Sequence, residues 1–466
     1  MFELACQTHD GRQAFAKGWY TRYNDPRRTD FLLFVPGVKS QNRKGKPMTH
    51  TRVVTKDSSR LTRRQFIRAV SLSAVVASTG GLRLAQAADP IRIGTLMDLT
   101  GALEAYGKPI QSGTILAVEQ INKAGGPLGR MLELVHRDSQ TDSTAAIDAA
   151  KKLVEVDKVV AIVGSLSSGV TIPVATSVTI PSGIVQISPA STSPQITDLD
   201  DKGFLFRTCP SDALQGKVSG RLAKELGFKA VSIIYVNNPY GVGLSKNFAQ
   251  AFQGTGGTVP ATIAYEEGKP SYRGEVQQAL QGKPDAIAMF SYPENGATLM
   301  RQALELGFKG KFLLADGMKA PEVVQNVGAQ YLKDIYGTAP GSRDSTAKSR
   351  FLETYTARFG DKPPKPFIDN AYDAVAIIAL AIQQAKSDTP AAIRDAIAKV
   401  ANPPGDAIEP GDFDKAFQLL AQGKDIDYRG ASGEIDFDAR GDVVSPIEVW
   451  KIDDKGSIVS VRVEDA

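Results

Sequence analysis

Short β-branched runs alternate with longer helical patterns from Ile91 onward, and no other feature of the sequence restricts the fold as strongly. "IRIGTL" (Ile91–Leu96), "MLELVHR" (Met131–Arg137), "VVAIV" (Val159–Val163) and "GIVQIS" (Gly183–Ser188) read as strands. Ile110, Ile115, Val118 and Ile121 recur at helical spacing around Gln111–Ala124, and the Ala-rich stretch Thr144–Glu155 is a second helix. Strand–helix–strand repetition makes parallel sheets with helices packed on both faces. The pattern restarts after "FRTCPSD" (Phe206–Asp212). A helix at Leu214–Leu226 leads to "AVSIIYV" (Ala230–Val236), a helix near Leu244–Phe252, "DAIAMF" (Asp285–Phe290), a helix at Leu299–Leu306 and "KFLLAD" (Lys311–Asp316). The expectation is an α/β chain folded as two doubly wound, Rossmann-like lobes.

Three further helices are expected near Ser345–Phe359, Asn370–Ala385 and Ala391–Lys399, and the Gly/Pro-rich segment Asn402–Asp412 interrupts the helical pattern. A hairpin turning at Asp453–Gly456 closes the chain. Lobe changes near Phe206–Asp212, Tyr336–Ser342 and Asp438–Ser445 give three crossovers, a three-segment hinge. The first lobe is then 88–209 with 340–442, and the second 210–339 with 443–466.

Residues 1–87 carry 16 Lys/Arg against 5 Asp/Glu, whereas the whole chain carries 55 against 51. The basic excess therefore sits in a leader and the body is mildly acidic, which argues against nucleic-acid binding. Paired Arg63-Arg64, then Phe66, a short apolar stretch and Ala85-Gln86-Ala87 match an exported leader of the twin-arginine type, cleaved after Ala87. Its apolar run is too short to span a bilayer. Residues 48–87 are read as this signal, and 1–47 as a non-native upstream stretch or a disordered leader. The expected destination is periplasmic, with the twin-arginine translocase as a partner during export.

Chemistry is sparse in the body. Only Cys209 and His136 remain after Ala87, so neither a disulfide nor a common zinc set is available. The serines of "GSLSSG" (Gly164–Gly169) lack the base and orienting group that a nucleophile needs, and no enzyme activity is expected. "GALEAYGK" (Gly101–Lys108) has five residues between its glycines and Pro109 in place of Ser/Thr, so it is not a phosphate loop. There remains a set of polar and aromatic residues after the predicted strands, where open α/β sheets bind ligands. They are Ser165–Ser168, Ser188–Thr192, Asn237–Tyr240, Ser291-Tyr292 and Asp316. No cofactor is expected.

These residues belong to an ordered series: "IGTLMDLTGALEAYGKPIQSGTILAVEQIN", "AGGPLGRMLELVHRDSQTD", "GSLSSGVTIPVA", "ISPASTSPQIT", "FRTCPSD", "YGVGL" and "RGASGEIDFD". The series resembles the periplasmic branched-chain amino-acid-binding protein family, the type I binding proteins of ABC importers, from about Ile91 to the C-terminus. The resemblance implies a monomer whose lobes close on a small amino acid and are then read by a membrane permease. It places Ser168, Thr192 and the backbone of Ala190 on the ligand carboxylate, and Asp316 on its ammonium. Tyr292, Tyr240, Tyr106 and Phe367 match the family's aromatic positions. Thr141 and Ser167 stand where some members have a disulfide, and Asp316 stands where leucine-binding relatives have Glu. The same fold leaves open a ligand-sensing role, or an amide, urea or aromatic acid as ligand.

Overall fold

The structure, a computed structural model, describes residues 3–7, 13–17 and 89–465. Arg63, Arg64 and the cleavage point after Ala87 lie outside the described residues. Strands β1 (Glu3–Gln7) and β2 (Gln13–Lys17) pair antiparallel as a separate hairpin.

In the body, the apolar runs form strands because alternate side chains find a helix on either face. The first sheet holds β3 (Ile91–Met97), β4 (Leu132–Asp138), β5 (Ala161–Gly164), β6 (Val185–Ser188) and β7 (Leu205–Arg207) in the order β4-β3-β5-β6-β7, all parallel. Ile93 and Val163 pack into the cluster under helix α1 (Glu104–Lys123). Leu96 and Ile162 pack into a second cluster with α2 (Ser143–Glu155) and α3 (Ser168–Val174). After α4 (Asp212–Glu225), the second sheet begins with β8 (Val231–Val236). It continues through α5 (Pro239–Gly254), β9 (Thr262–Tyr265), α6 (Arg273–Leu280), β10 (Ala286–Phe290), α7 (Pro293–Glu305), β11 (Lys311–Leu314), α8 (Pro321–Val327) and β12 (Tyr336–Pro340).

The chain then returns to the first lobe. There α9 (Thr346–Phe359), α10 (Ile368–Ala385), α11 (Pro390–Ala401) and α12 (Phe413–Ala421) accompany a three-stranded sheet of β13 (Asp406–Ile408), β14 (Ile426–Gly430) and β15 (Gly433–Glu434). Strands β16 (Ile447–Ile452) and β17 (Ile458–Glu464) complete the second sheet, β17-β16-β12-β11-β10-β8-β9. The chain thus passes between the sheets three times: between β7 and α4, between β12 and α9, and between β15 and β16. This is the α/β architecture expected from the alternation, with type I binding-protein topology.

Helix α10 is buried along nearly its whole length, the mark of a core helix. No helix among the described residues is long and apolar enough to cross a membrane. Gly113 on α1 lets α10 approach closely: a Cβ there would lie 2.1 Å from the Ile368 carbonyl oxygen. Gly113→Leu is therefore expected to cost about 1–3 kcal/mol through overpacking, read as a lower urea midpoint.

Two features departed from the sequence expectation. The segment Asn402–Asp412, read as an interruption, contributes β13, which pairs in parallel with β14. Strands β7, β9 and β15 and helix α6 were not foreseen either, being short or largely exposed, whereas α12 was missed although Phe413, Ala416, Phe417 and Leu420 recur at helical spacing. The hairpin turn at Asp453–Gly456 stands where it was expected.

Candidate functional site

Each sheet's parallel core runs in the order 2-1-3-4-5, numbering strands within the lobe. Such a sheet reverses direction between its first and third strands, and a crevice opens at their carboxyl ends. Those strands are β3 and β5 in one lobe, β8 and β10 in the other. The loops that leave them carry Asp98, Ser165–Ser168, Asn237–Tyr240 and Ser291-Tyr292.

In the first lobe the serine-rich turn is held from behind. Asp98 is fully buried and accepts from Ser165 Oγ at 2.8 Å and from the Leu166 N–H at 3.0 Å. The Ser165 carbonyl accepts from Ser188 Oγ at 2.7 Å, which ties this turn to the loop after β6. Ser168 Oγ accepts the Ser193 N–H at 3.2 Å and fixes that second loop. Ser165 is thus structural, while Ser168 and Ala190 line a cavity. Thr141, one of the positions without the family's disulfide, instead accepts the Leu103 N–H through Oγ1 at 3.2 Å.

The second lobe brings up aromatic rings and an acid. Tyr240 and Tyr292 stack, with centroids 5.7 Å apart and planes 10° from parallel. Asp316, after β11, is 4% exposed. Its Oδ1 accepts from Tyr240 Oη at 3.0 Å and from Gln215 Nε2 at 2.8 Å. Burial raises the Asp316 carboxyl above the ordinary range, while those two donors pull it back. Burial also lifts Tyr106, Tyr240 and Tyr292 well above the usual phenol value, so all three stay donors.

The two surfaces meet. Tyr106 from α1 donates to the Asp316 carbonyl at 2.9 Å, and Ser167 Oγ lies 3.1 Å from Tyr292 Oη. Ser193 Oγ donates to the Pro239 carbonyl at 2.9 Å, and Lys365 forms an ion pair with Glu322. Between them is a cavity of about 30 Å³, lined by Ser168, Ala190, Tyr106, Tyr240, Tyr292, Asp316 and Phe367 with Leu103, Ile110, Leu166 and Gly317. That volume holds a few waters at most, so these contacts describe closed lobes that must part for any amino acid to enter.

Seven of the eight expected site residues therefore face one cavity. Thr192 does not: its side chain is buried outside the lining, and its carbonyl accepts the Asp212 N–H at 2.8 Å. The turn after Ser191 rotates Thr192 toward α4, away from the space between the lobes. The sequence reading missed Asp98 and Gln215, which hold the site from behind, and the apolar residues Leu103, Ile110 and Leu166. Asp212 and Gln215 are spaced i, i+3 at the start of α4, a signal within "SDALQ" that was readable.

A wider, open groove of about 1010 Å³ runs along the crossover side past Pro210, Ser342 and Ser445. It passes the carboxyl end of β12 and meets the small cavity at Phe367, and several of its charged groups are paired, as in Lys319 with Glu448 and Arg343 with Asp465. Among the described residues no cluster suited to a metal ion is found. His136 sits on edge strand β4, half-buried, 2.6 Å from Thr95 Oγ1.

Comparison with known proteins agrees with this geometry. The family model described as periplasmic binding protein matches residues 90–456. A leucine-, isoleucine-, valine-, threonine- and alanine-binding protein of Pseudomonas aeruginosa is 29% identical, over 70% of this chain and 87% of its own. The chemotactic signal transduction system substrate-binding protein BasB of Halobacterium salinarum is 28% identical, over 85% of this chain and 95% of its own. The crystal structure of the branched-chain amino acid transporter substrate-binding protein LivJ of Streptococcus pneumoniae, in complex with isoleucine, superposes with a TM-score of 0.68. It is 26% identical and covers 81% of this chain and all of its own. The matched span includes both sheets except β17 and all three passages between them, and the chain belongs to the periplasmic binding protein family, in the group of the branched-chain amino-acid-binding proteins.

Proposed function

We propose that this protein is the extracytoplasmic substrate-binding component of an ABC importer, and that it closes its lobes on a small amino acid with an apolar side chain. The observation that carries the reading is Asp316. A buried carboxylate facing a cavity, with no ion-pair partner among the described residues, is a strong partner for an ammonium group. Ser168 and the backbone at Ala190, across the cavity, supply uncharged polar groups for a carboxylate. Leu103, Ile110, Leu166 and Phe367 supply the apolar wall. A zwitterion with an aliphatic side chain matches all three features. The relatives named for branched-chain amino acids support the ligand class.

In this reading the lobes are 88–209 with 340–442 and 210–339 with 443–466. Ligand contacts from both sides favour the closed state, which a membrane permease then recognises. The protein is a monomer, delivered by the twin-arginine translocase. BasB favours one second reading, in which the same closed form reports to a chemotaxis receptor. Transport of labelled ligand into vesicles carrying an ABC permease of the same organism, dependent on added protein, separates the two.

The ligand class is tested by thermal unfolding against leucine, isoleucine, valine, alanine, urea and benzoate. An aliphatic amino acid at ~100 times its dissociation constant is expected to add ~2.7 kcal/mol of stability, seen as a raised Tm. A shift with benzoate or urea and none with any amino acid overturns the reading.

A further inference from the structure

Asp212, on the first turn of α4, is fully buried, and neither of its carboxyl oxygens has a hydrogen-bond partner among the described residues. Two neighbouring acceptors share this condition. Thr192 Oγ1 and Gln215 Oε1 are also buried and unpartnered. The Asp212 N–H donates to the Thr192 carbonyl, and Gln215 sits one helical turn beyond Asp212 on the same face. Four orphaned oxygens from three side chains are thus gathered behind the cavity, and the Thr192 hydroxyl holds the only proton among them. An ionised Asp212 would add repulsion to that group, whereas a carboxylic acid O–H gives it a second donor, to Gln215 Oε1 or Thr192 Oγ1.

Asp316 has the opposite surroundings. Two donors, Tyr240 Oη and Gln215 Nε2, converge on its Oδ1 and favour the anion. Two buried carboxyls in such unlike settings divide their roles, one neutral and one charged. Burial, and after it the Asp316 charge, push Asp212 well above the ordinary range. The remaining groups near Asp212 do not reverse this. The Thr192 hydroxyl, close to the Asp212 carboxyl but outside hydrogen-bond geometry, and Arg207 favour the anion less strongly, and Arg207, at the end of β7, is engaged by Asp442. Burial keeps the Cys209 thiol and the Tyr240 phenol neutral.

We propose that Asp212 is a neutral carboxylic acid at physiological pH, a specificity-determining positioning residue that orients Gln215 and Thr192 and leaves Asp316 as the single negative charge of the cavity. With one anion the site balances one ammonium, and so selects a zwitterion over a dication. The selectivity clause rests on the amino-acid reading; the protonation state does not.

The test has two arms. Without ligand, the infrared difference spectrum, wild type minus Asp212→Asn, of the full chain is expected to show the carbonyl stretch of one buried, protonated carboxyl at neutral pH, over the bands of Asp373 and Glu267. An acid whose folded pKa is raised loses stability as pH climbs from its unfolded value, ~4, toward the folded one. Asp212→Asn, which does not titrate, is therefore expected to melt ~2 °C or more above wild type near pH 8, and by less near pH 5. With leucine as probe, wild-type affinity is expected to fall up to tenfold per pH unit above the Asp212 pKa, while Asp212→Asn holds its affinity across the same range. A difference spectrum without the band, or an Asp212→Asn variant that melts lower at neutral pH, overturns the proposal. Because Asp373 and Glu267 are also raised, to about 7, only the part of the band lost on substitution counts, and Asp212→Ser replaces Asp212→Asn should the latter not fold. Should leucine fail to bind while the band is present, the amino-acid reading fails and the protonation state stands.

Discussion

Asp316→Asn is expected to weaken amino-acid binding on the order of 10²-fold while leaving the unliganded protein as stable as wild type. Breaking a buried, hydrogen-bonded charge pair costs about 2–5 kcal/mol of affinity, and each 1.4 kcal/mol is about tenfold. The substitution removes the charge and keeps an acceptor oxygen for Tyr240 Oη and Gln215 Nε2, so the scaffold is preserved. Stability does not suffer, because burial has raised this carboxyl and the ionised form is the one that folding penalises above ~pH 4. The same direction predicts the pH profile of wild-type binding. Affinity is expected to fall on acidification through the raised Asp316 value, earlier than for an exposed carboxylate. Calorimetric titration of wild type and variant checks both statements. A variant that binds leucine as tightly as wild type removes Asp316 from the site.

Asp442→Ala is expected to be the most destabilising single change outside the hydrophobic core, at about 3–5 kcal/mol. The Arg207 side chain is wholly buried. Its Nε donates to Asp442 Oδ1 at 2.7 Å and its Nη2 to Oδ2 at 2.8 Å. Nη1 donates to the Ser193 carbonyl at 2.9 Å, and Nη2 also reaches Thr197 Oγ1 at 2.8 Å. Removing Asp442 leaves a buried guanidinium without its anion, and the melting point is expected to drop by about 5–10 °C. The pair joins the end of β7 to the third crossover and holds the loop that presents Ala190. Replacing both partners, as in Arg207→Met with Asp442→Leu, is expected to recover much of the stability, since no charge is then stranded. Ligand affinity is expected to stay low in that double variant, because the Ser191–Ser193 loop has lost its clamp. Full recovery of binding alongside stability would remove the clamp from the account of the site.

Much of the architecture was legible because burial on both faces of a parallel sheet forces continuous apolar runs, as in β5 and β10, and these stand out against polar helices. The rule that ligands gather at strand ends then located Ser168, Ala190, Tyr240, Tyr292 and Asp316. Elements with little core to bury left no such mark. Strand β9 lies at a sheet edge with two of its four residues exposed, and β13 spans three residues after a pair of prolines. The supporting residues were obscured for another reason. Asp98 and Gln215 act by holding other side chains, and a lone polar residue in a strand–helix chain gives no sign of what it will touch.

The order of apolar runs and helical periods by itself determined two lobes, three passages between them and the loops that carry polar groups, since these arise from local burial and chain direction. Only the tertiary structure decided which of those groups share a cavity. Thr192 turns toward Asp212, Ser165 is consumed by Asp98, and Tyr106 crosses to the Asp316 backbone. Loops have no period to read, and whether a polar atom is satisfied or orphaned depends on partners that lie up to 258 residues away along the chain.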